Sequence, residues 1–254
     1  MEKEQDGTFW EHLDVLRWAL IRSVAVLSVL AVVIFSFKEF LFDGIIFAPS
    51  REDFILFKLF QDMEIKPVTI INTKLSAQLF IHLSTSFYFA LIVGLPYILG
   101  EVWFFLKPAL YENEKKMTFK ALFFMSLLFY TGVLVSYFLI FPLSVNFLAS
   151  YQVAAQVDNL VDLDSYIDTL ISLTLSLGAV FELPVLAYFL SKIGILSYDF
   201  MKNHRKHAFV FVLFLAAIIT PGTDIFTMLL TALPLQLVYE LSVMIVRRNE
   251  KVTV

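Results

Sequence analysis

Long apolar runs separated by short polar stretches are the dominant pattern along this chain. A helix needs about 20 mostly apolar residues to cross the hydrocarbon core of a bilayer. The candidate spans lie at 18–37, 76–100, 119–141, 166–190, 205–220 and 225–246. The pattern predicts an all-α, polytopic integral membrane protein with six transmembrane helices in a single membrane domain, residues 1–254.

The last two runs are shorter or more interrupted than the first four. The apolar part of the fifth extends from Ala208 to Thr220, where Pro221 stops it, and its 13 residues cover only about 20 Å at a rise of about 1.5 Å per residue. The sixth run contains Pro234 and Glu240. We expect thinned membrane beside these two helices, or helix ends that lie against other protein.

The outer loops carry signals of ordered structure. The first, residues 38–74, is too long for a simple connector, and its apolar Phe54-Ile-Leu-Phe57 stretch predicts a structured cap. In the next outer loop, Asp164 can cap a helix, and Ser165 with Asp168 fits a capping box. This motif predicts the start of the fourth helix.

The distribution of Lys and Arg predicts the orientation. With six spans, fourteen of the nineteen basic residues fall on the side of the two termini, and the other five lie in loop 38–74. Because basic residues concentrate in cytoplasmic loops, both termini are predicted to be cytoplasmic. A five-span arrangement would move Arg247 and Arg248 to the outside, so the charge count favours an even number.

Composition narrows the possible functions. The chain is 59% hydrophobic and 17% charged, whereas soluble domains are about 45–50% apolar and about 25% charged. A net charge of −4 gives no indication of nucleic-acid binding, and the lack of cysteine excludes thiolate chemistry and Cys-ligated metal. No nucleotide-binding or zinc-protease motif occurs. We therefore predict a multi-pass membrane protein that is not an enzyme and has no cofactor or metal.

Glu182 is the first candidate functional residue, because an ionised carboxylate inside a span costs about 2.5–3.5 kcal/mol. It continues a helical row with Thr174 and Gly178, and this polar face should point toward protein or water. Small residues in such a row are typical packing positions, whereas intramembrane acids are rare and favour a functional role. Pro184 loosens the backbone nearby.

The second helix has a similar row that begins at Gln78 and continues through His82 and Ser86. The residues of this row are polar at its outer end, and those toward its inner end, Ala90 and Gly94, are small. Two interpretations are open for it, a packing seam with a satisfied core histidine or a proton relay through His82.

Several carboxylates lie beside the predicted inner surface, where basic residues are expected. They are Glu11, Asp14, Glu101, Glu112 and Glu114. They are either a solvated charge run or an acceptor for a cationic partner, since Arg makes bidentate bonds to carboxylates. Composition does not choose between the two.

Short motifs are more specific. They are Phe9-Trp-Glu-His-Leu-Asp-Val-Leu-Arg17, Ala48-Pro49, Glu101-Val-Trp-Phe-Phe-Leu-Lys-Pro-Ala-Leu-Tyr-Glu-Asn-Glu-Lys-Lys116, Phe141-Pro142, Phe181-Glu-Leu-Pro184, Thr220-Pro221 with Asp224, and Pro234 with Tyr239-Glu240. In this order and over nearly the whole chain, they resemble the C subunit family of the twin-arginine protein translocase.

The resemblance implies a cup-shaped, six-span receptor in the cell inner membrane. Such a receptor recognises signal peptides with two consecutive arginines, recruits single-span partner subunits of the TatA and TatB type, and exports folded proteins using the proton-motive force. Self-association and contact with the lipid bilayer are further expectations, and nucleic acid is not a partner.

The resemblance also implies roles for individual residues. The signal-peptide site carries over most directly to Glu114, with Phe105 and Arg17 at matching positions. Glu182, beside Thr174, Gly178 and Gln78, corresponds to the polar face and partner docking. Pro49, Pro221 and Asp224 are expected to be structural.

This sequence departs from the family pattern at three places, one of which is Thr227-Met228, where the family commonly has Ser-Gln. Val15 stands where the family usually has Glu, so Asp14 or Glu11 is expected to substitute. The usual Pro-Pro-Asp turn is Pro221-Gly-Thr-Asp224, which is one residue longer.

Two rival functions stay open on the residues alone. A proton-coupled secondary transporter would use Glu182 and His82 and would need no partner subunits. A six-span intramembrane serine protease is disfavoured, because no Gly-x-Ser motif lies in any predicted span.

Overall fold

The computed structural model describes residues 9–59, 68–106, 112–154, 159–220 and 224–253. These ranges are almost entirely helical. The helices are α1 Phe9–Ser36, α2 Ile55–Leu59, α3 Ala77–Leu106, α4 Glu112–Val135, α5 Phe141–Ser150, α6 Leu163–Val180, α7 Leu183–Lys192, α8 Tyr198–Asn203, α9 Arg205–Ile219 and α10 Ile225–Thr253. Strands β1 (Ile70–Ile71) and β2 (Val161–Asp162) form a short parallel pair.

Five helical segments of the described chain are long and apolar enough to cross a membrane. They are Leu13–Ser36, Ala77–Val102, Leu122–Ser150, Leu163–Lys192 and Ile225–Glu250. The apolar helix α9 has only 15 residues, which is about 22 Å at the usual helical rise. Since the hydrocarbon core is about 30 Å thick, α9 is short for an upright crossing.

Two of the long segments are interrupted beside a proline. After α4, the chain passes through a π-helical turn at Ser136–Ile140 and enters α5, where Pro142 lies in the first turn. The next segment breaks after Val180 and restarts at Leu183, with Pro184 in the first turn of α7. Proline fits a first turn because the N–H that it lacks has no helical partner there.

The cap of α6 differs from the sequence-based expectation. The N-cap is Asp162, whose carboxylate accepts the backbone N–H of Asp164 at 2.9 Å. The predicted cap at Asp164, with its capping box, is therefore wrong by two residues. Asp162 has the extended backbone that an N-cap needs because it belongs to β2, whereas Asp164 already lies within the helix.

Polar contacts join the segment after β1 to the start of α6. The Thr73 hydroxyl donates to Asp162 at 2.6 Å, and Lys74 forms an ion pair with Asp164. The Thr73 bond and the Asp164 N–H lower the pKa of Asp162, and the bond to Asp164 raises the pKa of Lys74. Both groups therefore stay charged at neutral pH.

The described part of loop 38–74 contains further ordered structure. A π-helical turn at Phe40–Ile46 is followed by a 3₁₀ turn at Ala48–Ser50. Two tyrosines fasten the end of the π-helical turn, since Tyr137 donates to the Ile45 carbonyl at 2.6 Å and Tyr166 donates to the Ile46 carbonyl at 2.8 Å.

The chain divides into two compact units. The first comprises Met1–Lys38 with His82–Ser126, and the second comprises Glu39–Ile81 with Leu127–Val254. In the second unit, α10 packs mainly against α7 and α9. Its fully buried side chains include Leu173 and Leu177 of α6 and Leu235 of α10.

Candidate functional site

Helices α1 and α3 of the first unit pair in antiparallel directions, and three contacts among their described residues show how they meet. At one end, the rings of Phe35 and His82 stack with centroids 3.9 Å apart. Midway, Gly94 lets α1 approach so closely that a Cβ atom there would lie 2.9 Å from the Leu27 side chain. The third contact, between Arg22 and Glu101, is ionic.

The Arg22–Glu101 contact is a bidentate ion pair. Arg22 donates from Nε to Glu101 Oε1 at 2.8 Å and from Nη2 to Oε2 at 2.7 Å. The Tyr97 hydroxyl donates to the same Oε1 at 2.7 Å. The Glu101 side chain is only 9% exposed, compared with 49% for Arg22. The buried carboxylate is thus satisfied by three donors, which is the condition for a stable charge in an apolar environment.

Three of the residues expected to bind a signal peptide lie at the same end of α1 and α3 as this ion pair. Asp14 and Arg17 are exposed on the first turns of α1, and Phe105 is half-buried near the end of α3. Glu11 belongs to α1 and Glu114 to the start of α4, but both side chains lie outside the described residues.

Glu182 lies at the break between α6 and α7. It is the N-cap residue of α7, and its carbonyl accepts the N–H groups of Val185 and Leu186 at 3.0 and 3.1 Å. Both oxygens of its carboxylate are buried without a hydrogen-bond partner within the described chain. The Glu182 backbone carbonyl at the break is therefore hydrogen-bonded, while the carboxylate can still accept hydrogen bonds.

The other members of the predicted polar face have different environments. Thr174 is buried and donates to the carbonyls of Leu170 and Ile171 on its own helix. Gly178 lies directly against the Phe129 ring, where a Cβ atom would be only 2.7 Å away. Gln78 is exposed at the start of α3.

Two of the three predicted structural residues lie at turns. Pro49 is buried within the 3₁₀ turn. Asp224 precedes α10, and its Oδ1 accepts the N–H of Thr227 at 2.6 Å in the manner of an N-cap. Pro221 lies outside the described residues.

Comparison with known proteins places this arrangement in a family. The family model described as Sec-independent protein translocase protein (TatC) matches residues 11–234. The chain belongs to the TatC family. A TatC from Blattabacterium sp. is 35% identical over 96% of this chain and 96% of that relative. A TatC from Deinococcus radiodurans is 32% identical over 94% of this chain and 85% of that protein.

A solved TatC structure shares the fold. A crystal structure described as the twin-arginine translocase receptor TatC has 30% identity and a TM-score of 0.75, covering 94% of this chain and 100% of that one. This TatC family member is therefore a mostly helical, multi-pass membrane component of protein transport. The alternative function of a proton-coupled transporter is not favoured.

The Arg22–Glu101–Tyr97 cluster of this TatC chain was not recognised as a unit from the sequence. By the charge distribution, Arg22 is one of the fourteen basic residues on the side of the termini, and Glu101 is one of the carboxylates beside the predicted inner surface. The sequence does contain a signal, because Arg22 lies inside an apolar run and an intramembrane charge needs a partner. Tyr97 and Glu101 are also one helical turn apart.

Proposed function

We propose that this chain is the signal-peptide receptor and core subunit of a twin-arginine translocase. In this role it exports folded proteins across the inner membrane using the proton-motive force. The observation that carries the proposal is the match over nearly the whole chain to TatC proteins, including a structure described as a twin-arginine translocase receptor. The chain acts in transport and performs no catalytic step or cofactor chemistry of its own.

The arginine pair of the signal peptide binds at the cytoplasmic ends of α1 and α3 and at the loop between α3 and α4. Glu114 supplies the main carboxylate, since a carboxylate accepts two parallel bonds from a guanidinium group. Phe105 and Arg17 border the site. Because Val15 has no charge, a carboxylate of α1, Asp14 or Glu11, supplies the second acceptor.

Partner subunits of the TatA and TatB type dock beside Glu182. The proposal is supported by its two buried oxygens, which have no partner in the described chain. A single-span partner with a polar side chain at that depth would supply the missing donor, and in an apolar medium such a bond replaces an otherwise costly unsatisfied group. The chain also associates with copies of itself.

Signal-peptide binding to the purified chain in lipid nanodiscs tests the receptor role. We expect a labelled peptide with two arginines to bind, and the same peptide with two lysines to bind more weakly. Glu114→Ala should lower the affinity about tenfold, a loss of about 1.4 kcal/mol, which is near the lower end for a charge-assisted hydrogen bond.

Glu112→Ala is the matched control, because it removes the same charge two residues away. It should bind the peptide as the unsubstituted chain does. A photo-crosslinker on the peptide next to the arginines should label the segment around Glu114. Equal binding of the two-arginine and two-lysine peptides would contradict the receptor proposal.

A further inference from the structure

The Arg22–Glu101–Tyr97 cluster is the most directional contact between α1 and α3. The Phe35–His82 stack is accompanied by a hydrogen bond from His82 to the Phe35 backbone, and the Gly94 crossing depends on shape and tolerates small slides. The bidentate pair does not tolerate a slide, because two parallel hydrogen bonds from N–H groups to carboxylate oxygens hold the guanidinium and carboxylate groups in one plane. The Tyr97 hydroxyl further restricts the carboxylate.

This cluster fixes the positions of the proposed peptide-binding residues of α1 and α3 relative to each other along the helix axes. Arg17 lies five residues before Arg22, which is about 7.5 Å along α1. Phe105 lies four residues after Glu101, which is about 6 Å along α3. Because the two helices are antiparallel, both steps lead toward the same end. Arg17 and Phe105 therefore reach almost the same height, about one to one and a half turns beyond the ion pair.

The cluster also lies closer to the proposed binding site than the other two contacts do. Leu27 and Phe35 lie further along α1 from Arg17, and Gly94 and His82 lie further back along α3 from Phe105. A slide or rotation at the inner ends would thus be resisted first at Arg22 and Glu101. Loss of the pair would leave the middle and the far end of the α1–α3 contact intact.

We propose that Arg22, Glu101 and Tyr97 are positioning residues for signal-peptide recognition. They hold the inner ends of α1 and α3 in one register, so that the α1 carboxylates and Arg17 face the same peptide as Phe105. This inference rests on the proposed receptor function. The three side chains act through the helices and do not themselves contact the peptide.

Peptide affinity in four variants tests this role. Glu101→Gln should weaken binding of the two-arginine peptide about tenfold, equivalent to about 1.4 kcal/mol. Tyr97→Phe should cause a smaller loss, because it removes one of three bonds. The exchanged pair Arg22→Glu with Glu101→Arg restores opposite charges and should recover most of the affinity.

The fourth variant, Glu240→Gln, is the matched control. It removes the Arg205–Glu240 pair, which has the same 2.7 Å separation but lies in the second unit. We expect it to leave peptide affinity unchanged. Thermal unfolding is measured for both variants, and a loss of binding that is restricted to Glu101→Gln at a temperature where both variants remain folded separates positioning from general destabilisation.

A distance measurement reports the positioning directly. The chain has no cysteine, so spin labels attached at Leu13→Cys and Val102→Cys occupy the only two thiols. Both positions are exposed, Leu13 on α1 and Val102 on α3. We expect one narrow distance distribution in the unsubstituted background, a broader one with Glu101→Gln, and a narrow one again with the exchanged pair.

The outcomes distinguish the two proposals. If the unsubstituted chain does not prefer the two-arginine peptide, the receptor function itself fails. If that preference is present, but Glu101→Gln keeps both the affinity and the narrow distribution, the positioning role is wrong. Equal losses of affinity for Glu101→Gln and Glu240→Gln would also overturn it.

Discussion

At the scale of single residues, two carboxylates inside apolar helices differ in whether their oxygens have hydrogen-bond partners. Glu101 accepts three hydrogen bonds from Arg22 and Tyr97. Glu182 has two buried oxygens and no hydrogen-bond partner in the described chain. Because an unsatisfied acceptor in an apolar medium is costly, the first arrangement is suited to hold helices together and the second to receive a partner.

This difference predicts the behaviour of Glu182→Gln. The substitution keeps the shape of the side chain but removes its charge, so we expect co-purification of single-span partners and export of folded substrates to fall several-fold. Signal-peptide affinity should change less than twofold, well below the effect of Glu114→Ala. Equal loss of partner docking and peptide binding would contradict this division of roles.

At the scale of elements, glycines decide how closely two helices of the second unit cross. A Cβ atom on Gly132 of α4 would lie 2.7 Å from the Leu177 carbonyl oxygen and 2.9 Å from the Gly178 Cα of α6. These neighbours are backbone atoms and cannot rotate away. The crossing therefore depends on the absence of a side chain, as in other small-residue contacts between membrane helices.

Gly132→Ala should accordingly destabilise the protein by about 1–3 kcal/mol, as overpacking does in other cores. The control is Gly100→Ala on α3, where a Cβ atom would meet nothing within 4 Å. That change should be neutral or stabilise by up to about 1 kcal/mol, since Ala favours the helix. The midpoints of thermal unfolding in detergent compare Gly132→Ala with Gly100→Ala. Similar midpoints would contradict the prediction, because they would show that α4 and α6 can move apart without loss of stability.

At the scale of the whole molecule, the topology depends on whether the short helix α9 crosses the membrane. Five other segments are long enough to cross on length alone, and an odd number of crossings would place the termini on opposite sides. The concentration of Lys and Arg on one side favours six crossings with both termini in the cytoplasm. A 15-residue helix can cross where the bilayer is thinned.

Reporter fusions test this topology. Green fluorescent protein fused after Val254 should fluoresce, because six crossings would place that end in the cytoplasm, and alkaline phosphatase fused after Gly222 should be active outside. If α9 did not cross, the fusion after Gly222 would lie on the same side as one after Asn203. Both alkaline phosphatase fusions would then be inactive.

Pattern and motif together predicted the class of this protein. Apolar runs of about 20 residues have few alternatives to membrane helices, because every backbone polar group must be satisfied within the bilayer. The spaced motifs, such as Phe181-Glu-Leu-Pro184, indicated the TatC family, which the comparisons confirm. The short fifth run was also visible, because Pro221 stops it.

Only the tertiary structure decided which side chains meet. The pairing of Arg22 with Glu101 depends on the register of two helices joined by a long loop, and helical periodicity carries no information about that register. The N-cap of α6 is Asp162 and not the predicted Asp164, because the backbone of β2 is extended at Asp162. Local sequence thus determines helices through hydrophobicity and hydrogen bonding within a segment, whereas contacts between distant segments depend on how the helices pack.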